Sequence, residues 1–213
     1  MEVYMNKNIR RKIKEYIEKE IFEKYKLNEK GHGINHIKYV IRRSLQFAET
    51  IENIDYEMVY VIAAYHDIGH HIDAKNHEII SAQILLEDEN LKEFFSEEQI
   101  MVMKEAIEDH RASKDTEPRT IYGKIVSSAD RNTDVEFTLK RCYSYRTNHS
   151  PELNQDEIIE VCRKFLIEKF GINGYARNKM YFEDKEYNKY LHDITELALD
   201  RECFYKEIRR ANR

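Results

Sequence analysis

The sequence predicts an all-α fold. Its 213 residues include only six glycines and two prolines, and so few breakers favour long helices over strands joined by tight turns. Apolar residues recur at steps of three and four, and no segment alternates convincingly between apolar and polar residues. The length suits one domain with a sizeable core.

Nine helical segments are predicted from apolar periodicity and from the residues that begin or end helices. They cover approximately residues 8–25, 35–48, 55–69, 77–88, 97–110, 118–130, 134–147, 155–170 and 184–210. The first carries isoleucines and tyrosines on one face. Asp55 is a plausible N-cap of the third helix, and Gly69 is expected to end it.

The remaining helix boundaries follow the same logic. Asn76 is expected to cap the fourth helix, and Ser96 with Gln99 resembles a capping box for the fifth. Pro118 suits the first turn of the helix that contains IYGKIVSSAD. The last segment, 184–210, is expected to be one long helix.

Composition excludes several classes of protein. A net charge of −5 gives no general reason to bind DNA, RNA or an anionic membrane. No stretch reaches the 18 apolar residues of a membrane span, and the N-terminus lacks the apolar core of a signal peptide. The three cysteines, Cys142, Cys162 and Cys203, are widely spaced, which favours reduced thiols in a cytoplasmic protein.

The segment VYVIAAYHDIGHH, residues 59–71, raises a functional question. Its first seven residues are apolar or aromatic, and His66 and Asp67 follow at the end of a segment that looks fully buried. A buried carboxylate is costly unless it is paired, hydrogen-bonded or bound to a metal. A histidine next to an aspartate is by itself often only a hydrogen-bonded pair.

Other polar residues share this position at the end of an apolar helix, and helix ends that meet on one side of a bundle can gather ligands. Imidazole and carboxylate donors suit Mn²⁺, Fe²⁺, Zn²⁺, Ni²⁺ or Co²⁺. The candidate metal ligands are His36, His66, Asp67, His77, His110 and Asp130.

The order of His36, the His66–Asp67 pair and Asp130 resembles the metal-binding signature of the HD-domain superfamily of phosphohydrolases. The words NHIKYV, AAYHDIGHH and SSADR carry the resemblance, which covers about residues 30–145. It implies an HD-domain helical bundle with additional C-terminal helices. The whole chain, 1–213, would be one domain, with its metal-site core at about 30–145 and a helical extension at about 150–213.

The resemblance also implies the cofactors. His36, His66, Asp67 and Asp130 would hold one divalent metal: Mn, Fe, Mg, Ni, Co or Zn. Some family members hold a second metal through two further histidines, with the HD aspartate bridging. His77 and His110 lie in the matching intervals, although both could equally be helix-end histidines with local hydrogen bonds or substrate contacts.

Asp67 and His70 are the predicted catalytic residues. A bound metal lowers the pKa of its water and offsets charge on phosphoryl oxygens, and Asp67 would ligate the metal and orient the attacking water. His70, one turn after His66, could donate to a phosphate or protonate a leaving oxygen. His32, four residues before His36, is either a further site residue or only its neighbour in the loop.

Positive side chains near the ligands are candidate contacts for a phosphorylated substrate. They are Arg111, Lys114, Arg119 and Arg131. Arg119 and Arg131 could equally form surface ion pairs. Tyr175, Arg177 and Lys179 lie in a glycine-bearing loop and could reach a substrate or be ordinary loop residues.

Three functions remain open on the sequence. The first is a metal-dependent phosphohydrolase acting on a small phosphorylated metabolite, with nucleotides among the candidates. The second is a di-iron oxygenase, because a few family members use the same six ligands to activate O₂. The third is a ligand-binding domain with little turnover. A homodimer is a further possibility that the sequence leaves open.

Overall fold

The computed structural model describes residues 9–111, 114, 116–177 and 180–213. No strand occurs in these ranges, and the prediction of an all-α fold is confirmed. The helices are α1 (Arg11–Tyr16), α2 (Phe22–Lys24), α3 (Ile34–Ala48), α4 (Tyr56–Tyr65), α5 (His77–Leu86), α6 (Glu97–Glu108), α7 (Ile121–Ala129), α8 (Val135–His149), α9 (Gln155–Phe170), α10 (Lys185–Leu199) and α11 (Arg201–Ala211).

The chain divides into two compact units, the first ending at Asp130 and the second formed by Arg131–Arg213. The prediction that residues 1–213 form one domain stays a prediction. None of the helices in the described ranges combines the length and the apolar character needed to cross a bilayer.

The first unit is built around α4. Every residue from Met58 to Tyr65 is buried, with exposed fractions of 0–4%. The helix packs against α3, α6 and α7, so it is enclosed on several sides and needs no polar face. Each fully buried Val or Ile side chain contributes about 1.5–3 kcal/mol of hydrophobic stabilisation. The segment after α4 therefore continues from a helix that is buried on every side.

The predicted first helix is interrupted. It begins at Arg11 and passes through a π-helical turn at Ile17–Ile21 before α2. Ile13, Ile17 and Ile21 are fully buried. The predicted apolar face is therefore confirmed, although the backbone is not one regular α-helix.

Two predicted caps are confirmed, Asn76 precedes its helix as predicted but without a capping bond, and Pro118 lies outside the helix in whose first turn it was expected. Asp55 accepts from the backbone of the first turn of α4, and Ser96 forms a capping box with Gln99. Asn76 precedes α5 but makes no capping bond, and its side-chain nitrogen donates to Asp73. Pro118 lies before α7, whose N-cap is Thr120.

Gly69 does not end α4, which already stops at Tyr65. The chain then continues in tight turns, with the His70 amide donating to the Asp67 carbonyl. Gly69 has no positive φ, so it is not a left-handed helix cap. Its amide instead donates to Ser81 Oγ at 2.9 Å, which ties this segment to α5.

Gly69→Ala is expected to destabilise the protein. A Cβ at Gly69 would lie 2.6 Å from Ile80 Cγ2 and 2.9 Å from the backbone nitrogen of Ser81. Since backbone cannot move aside easily, overpacking should lower the free energy of unfolding by about 1–3 kcal/mol. Urea denaturation followed by circular dichroism measures this. An unchanged midpoint would contradict the close packing of the turn on α5.

The second unit contains α8 to α11 around its own apolar core. Cys142 and Cys162 lie in this core, and Cys203 is exposed. The single helix predicted for 184–210 is wrong. Asp200 adopts an extended conformation between α10 and α11, and its side chain accepts from the Cys203 amide to cap α11.

Candidate metal centre

The first group of ligand atoms comes from α3, the turn after α4 and the end of α7. It comprises His36, His66, Asp67 and Asp130, whose donor atoms all lie within 4.8 Å of one another. His36 Nε2 lies 3.1 Å from Asp130 Oδ1 and 3.4 Å from Asp67 Oδ2. His66 Nε2 lies 3.5 Å from Asp67 Oδ2. We call this group cluster A.

These separations match those between ligands of one metal ion. Two donors that each lie about 2.1 Å from a common ion are about 3.0 Å apart at a right angle and about 3.4 Å apart at the tetrahedral angle. The Nε2 atoms of His36 and His66, at 3.3 Å, fall in the same range. Cluster A is therefore able to hold a divalent ion without large rearrangement.

The second group, cluster B, comprises Asp67, His77 and His110. The Nε2 atoms of the two histidines are 3.2 Å apart. Asp67 Oδ1 lies 3.2 Å from His77 Nε2 and 3.6 Å from His110 Nε2. The histidines come from the first residue of α5 and from the residue two beyond the end of α6.

Asp67 belongs to both clusters through different oxygens. Its Oδ2 lies near His36 and His66, whereas its Oδ1 lies near His77 and His110. The side chain is only 3% exposed, so its charge has little water to stabilise it. Asp67 could therefore offer one oxygen to a cation in each cluster.

Three of the histidines are oriented by the backbone. The Nδ1 of each lies within hydrogen-bonding distance of the carbonyl three residues earlier, at 2.9 Å for His66, 3.0 Å for His77 and 2.7 Å for His110. A carbonyl can only accept, so Nδ1 must carry the proton. When such a ring is neutral, its lone pair lies on Nε2, which faces the cluster, as metal ligation requires.

The carboxylates and imidazoles shift one another's pKa. Burial alone would lower the pKa of His36, but hydrogen bonds to Asp130 and Asp67 raise it to about 10. Burial would raise the pKa of Asp67, but the charge of His66 and hydrogen bonds from neighbouring imidazoles hold it well below its usual range. The same opposition leaves the pKa of Asp130 lowered. Both carboxylates are therefore ionised near neutral pH, the state that binds cations.

His70, the other predicted catalytic residue, lies beside cluster B. Its ring centroid is 5.2 Å from that of His77 and 3.8 Å from that of His32. His32 is in turn 5.7 Å from the His36 ring. The structure thus brings His70 and His32 to the side of the ligand set, and their catalytic or binding roles stay predictions.

Arg111 and Lys114 are the predicted substrate contacts that follow His110 in the chain. Arg111 Nη1 donates to the Lys75 carbonyl and lies 3.1 Å from Glu78 Oε2. Lys114 Nζ lies 3.8 Å from Asp109 Oδ1. Both side chains are about 30% exposed, and their contact with a substrate remains a prediction.

Arg119 is engaged in several ion pairs. Its guanidinium lies 2.6 Å from Glu108 and 2.8 Å from Asp109, and these partners raise its pKa. This is the surface ion-pair alternative raised by the sequence, so binding a substrate would require Arg119 to exchange partners.

The other candidates belong to the second unit. Arg131 Nη1 donates to the Ala176 carbonyl, and its guanidinium carbon lies 4.9 Å from the centre of the Tyr187 ring. Arg177 Nε donates to the carbonyls of Phe170 and Gly171, which ties its loop to α9. Lys179 lies outside the described residues.

The sequence did not predict the residues that position the turn containing His66 and Asp67. The Asn28 amide nitrogen donates to the carbonyls of Asp67 at 2.9 Å and His32 at 3.0 Å, and its oxygen accepts from the His71 amide. The Asp67 amide donates to the Tyr25 hydroxyl at 3.3 Å. Asn28 lies in a loop without periodicity, so only its amide chemistry could have signalled this role.

Comparisons with known proteins find similarity to one domain family and to a solved structure. The family model for the HD domain matches residues 33–133. No curated protein matches the chain. The crystal structure of a predicted HD superfamily hydrolase from an uncultured Thermotogales bacterium aligns with a TM-score of 0.48 and 21% identity, over 75% of this chain and 94% of that chain. That TM-score is too low to support a conclusion about function.

The family match and the donor atoms agree on one chemistry. The matched residues 33–133 include all six ligands of clusters A and B. The match to an HD domain and the histidine–carboxylate clusters therefore coincide on a site able to hold divalent metal. The predicted resemblance to the HD-domain superfamily is thus confirmed over residues 33–133, just under half of the chain.

Proposed function

We propose that the protein is a divalent-metal-dependent phosphohydrolase that cleaves a phosphate ester or anhydride of a small metabolite. The observation that carries the proposal is the position of Asp67, which presents one oxygen to each of two histidine clusters. Two adjacent cation sites that share a carboxylate are suited to displacement at phosphorus. Nucleotides are among the candidate substrates.

Bound divalent ions supply an activated water at neutral pH and offset the negative charge that develops on the phosphoryl oxygens. The chain's own residues hold the geometry for this chemistry. Asp67 and Asp130 bring two negative charges to a partly buried site. The histidines would bind an ion as neutral donors, which requires His36 to release the proton that its raised pKa holds. Since Asp130 is 29% exposed and Asp67 only 3%, we expect the substrate to approach from the side of Asp130.

Other residues would bind the substrate and manage the proton. The Arg111 guanidinium donates to Glu78 and to the Lys75 carbonyl. These bonds keep a positive charge close to His77. His70 lies between His32 and His77 and is partly exposed. In that position it could donate to a phosphate oxygen or to a leaving group.

Removal of metal is expected to abolish hydrolysis, and its return to restore it. The protein is purified without a metal-affinity tag, its metals are measured per chain, and a chelator then strips them. The stripped protein should not hydrolyse phosphate monoesters, phosphodiesters or nucleotides. Adding Mn²⁺ or Co²⁺ should restore activity and raise the thermal midpoint, because a ligand at about 100 times its Kd stabilises by about 2.7 kcal/mol.

The same preparation provides the contrary outcomes. Hydrolysis that survives complete removal of metal would contradict the proposal. So would about two irons per chain combined with oxygen uptake and no release of phosphate, which would favour the oxygenase chemistry. A matched preparation of Asp67→Asn, stripped and reloaded in parallel, controls for a contaminating phosphatase.

A further inference from the structure

A third group of potential ligands lies outside clusters A and B. It comprises Glu29, His32 and His70, whose donor atoms all lie within 4.8 Å of one another. We call it cluster C. Glu29 and His32 come from the loop before α3, and His70 from the turn after α4.

The three side chains of cluster C are already in contact. His32 Nδ1 lies 3.1 Å from Glu29 Oε1. The rings of His32 and His70 are stacked, with centroids 3.8 Å apart and planes 20° apart. Two chain segments separated by almost forty residues therefore present their donors to the same small volume.

Asn28 joins the two backbone segments that carry cluster C. Asn28 donates to the carbonyls of His32 and Asp67 and accepts from the His71 amide. These bonds join the loop that carries Glu29 to the turn that carries His70. The proximity of His32 and His70 thus follows from the backbone, and the exposed Glu29 side chain completes the group in the rotamer that reaches His32.

Cluster C also adjoins the two other clusters. Its His32 ring lies 5.7 Å from the ring of His36 in cluster A. Its His70 ring lies 5.2 Å from the ring of His77 in cluster B. A cation here would therefore lie beside both cluster A and cluster B.

We propose that Glu29, His32 and His70 form a third, exchangeable site for a divalent transition-metal ion, an inference that rests on the metal-dependent function proposed above. Two imidazole nitrogens and one carboxylate oxygen suit Mn²⁺, Fe²⁺, Co²⁺, Ni²⁺ or Zn²⁺ better than Mg²⁺, which prefers oxygen donors. An ion at this position would add positive charge beside the phosphate group of a substrate bound at clusters A and B.

The third site is weaker than the other two for two reasons. The Glu29 side chain is 67% exposed, so water competes for the carboxylate and for the ion. The lone pair of an imidazole lies in the plane of its ring, so two nearly parallel stacked rings cannot both point to one ion. Binding must rotate one ring and give up the stacking contact. Cluster C is therefore expected to fill last.

Counting bound Mn²⁺ tests the proposal without any substrate. The stripped full-length protein is titrated with Mn²⁺, and the free ion is measured by electron paramagnetic resonance. Glu29→Gln and His70→Ala should each remove the weakest class of site, lowering the count at saturation by one or weakening that class at least tenfold. The matched controls, Glu23→Gln and His149→Ala, replace an exposed carboxylate and an exposed histidine elsewhere and should retain the wild-type count.

A second measurement on the wild type makes the result independent of how the variants fold. Crystals soaked in Mn²⁺ should show an anomalous peak among Glu29, His32 and His70. Absence of that peak, or a wild-type count in both variants, overturns the third site. Its failure is distinct from failure of the phosphohydrolase: hydrolysis without the third ion leaves the proposed function standing, and the ion without hydrolysis leaves the site standing.

Discussion

Replacing Asp67 by alanine is expected to abolish metal-dependent hydrolysis. The substitution removes an oxygen from each of two clusters at once, whereas every other ligand belongs to one cluster. Loss of a residue that merely orients a ligand already costs about 10–100-fold in metal affinity or activity. Loss of the shared ligand should therefore lower kcat/KM by at least about a thousandfold.

The measurement compares initial rates on the substrate that the screen identifies, together with metal content per chain. Asp67→Asn is the conservative partner, because it keeps the shape and removes the charge that draws cations to both clusters. Asp193→Asn, an exposed carboxylate paired with Lys189, is the matched control and should behave as wild type. Circular dichroism checks that the helices persist. Turnover of Asp67→Ala close to the wild-type rate would rule out the bridging role.

Replacing His110 by alanine is expected to empty cluster B and spare cluster A. His110 is 1% exposed and lies 3.2 Å from His77, its partner in that cluster. Without it, cluster B keeps one histidine and the shared carboxylate, too few donors to hold an ion tightly. The metal content should fall by one ion per chain. Activity should fall by at least about tenfold, because even loss of a residue that only orients a metal ligand costs about 10–100-fold.

The reciprocal variant, His36→Ala, distinguishes the clusters. It removes a donor of cluster A and should leave one ion in cluster B. Metal analysis after dialysis, with activity measured over a range of Mn²⁺ concentrations, separates the two variants. If His110→Ala kept the wild-type metal content and rate, then His77 and His110 would be a hydrogen-bonded pair without a cation.

Much of the fold was predictable because its signals are local. Asp55 and the pair Ser96 and Gln99 cap helices through bonds within one turn, so the sequence alone reveals them. The end of α4 and the break at Asp200 depend on how segments pack. At Gly69, for example, the chain lies in close contact with α5, and the residues next to it in sequence do not indicate this contact.

The candidate site shows the same division. The six ligands predicted for clusters A and B are brought together, because each ends or begins a helix that the apolar pattern already places. Glu29 and Asn28 come from a loop with no period, and their contacts join segments about forty residues apart. For Arg119, the ion pairs with Glu108 and Asp109 depend on the chain folding back between α6 and α7.

The backbone carbonyls that orient His66, His77 and His110 have a consequence for how the centre tolerates mutation. The accepting groups belong to Ala63, Ala74 and Ile107, and every amino acid carries the same carbonyl. Substitutions at these three positions can change packing, but none of them removes the acceptor. The acceptor that places the proton on Nδ1 of each ring is thus a backbone carbonyl, which point mutation does not delete. The orientation of these ligands should persist wherever the helix ends keep their backbone conformation.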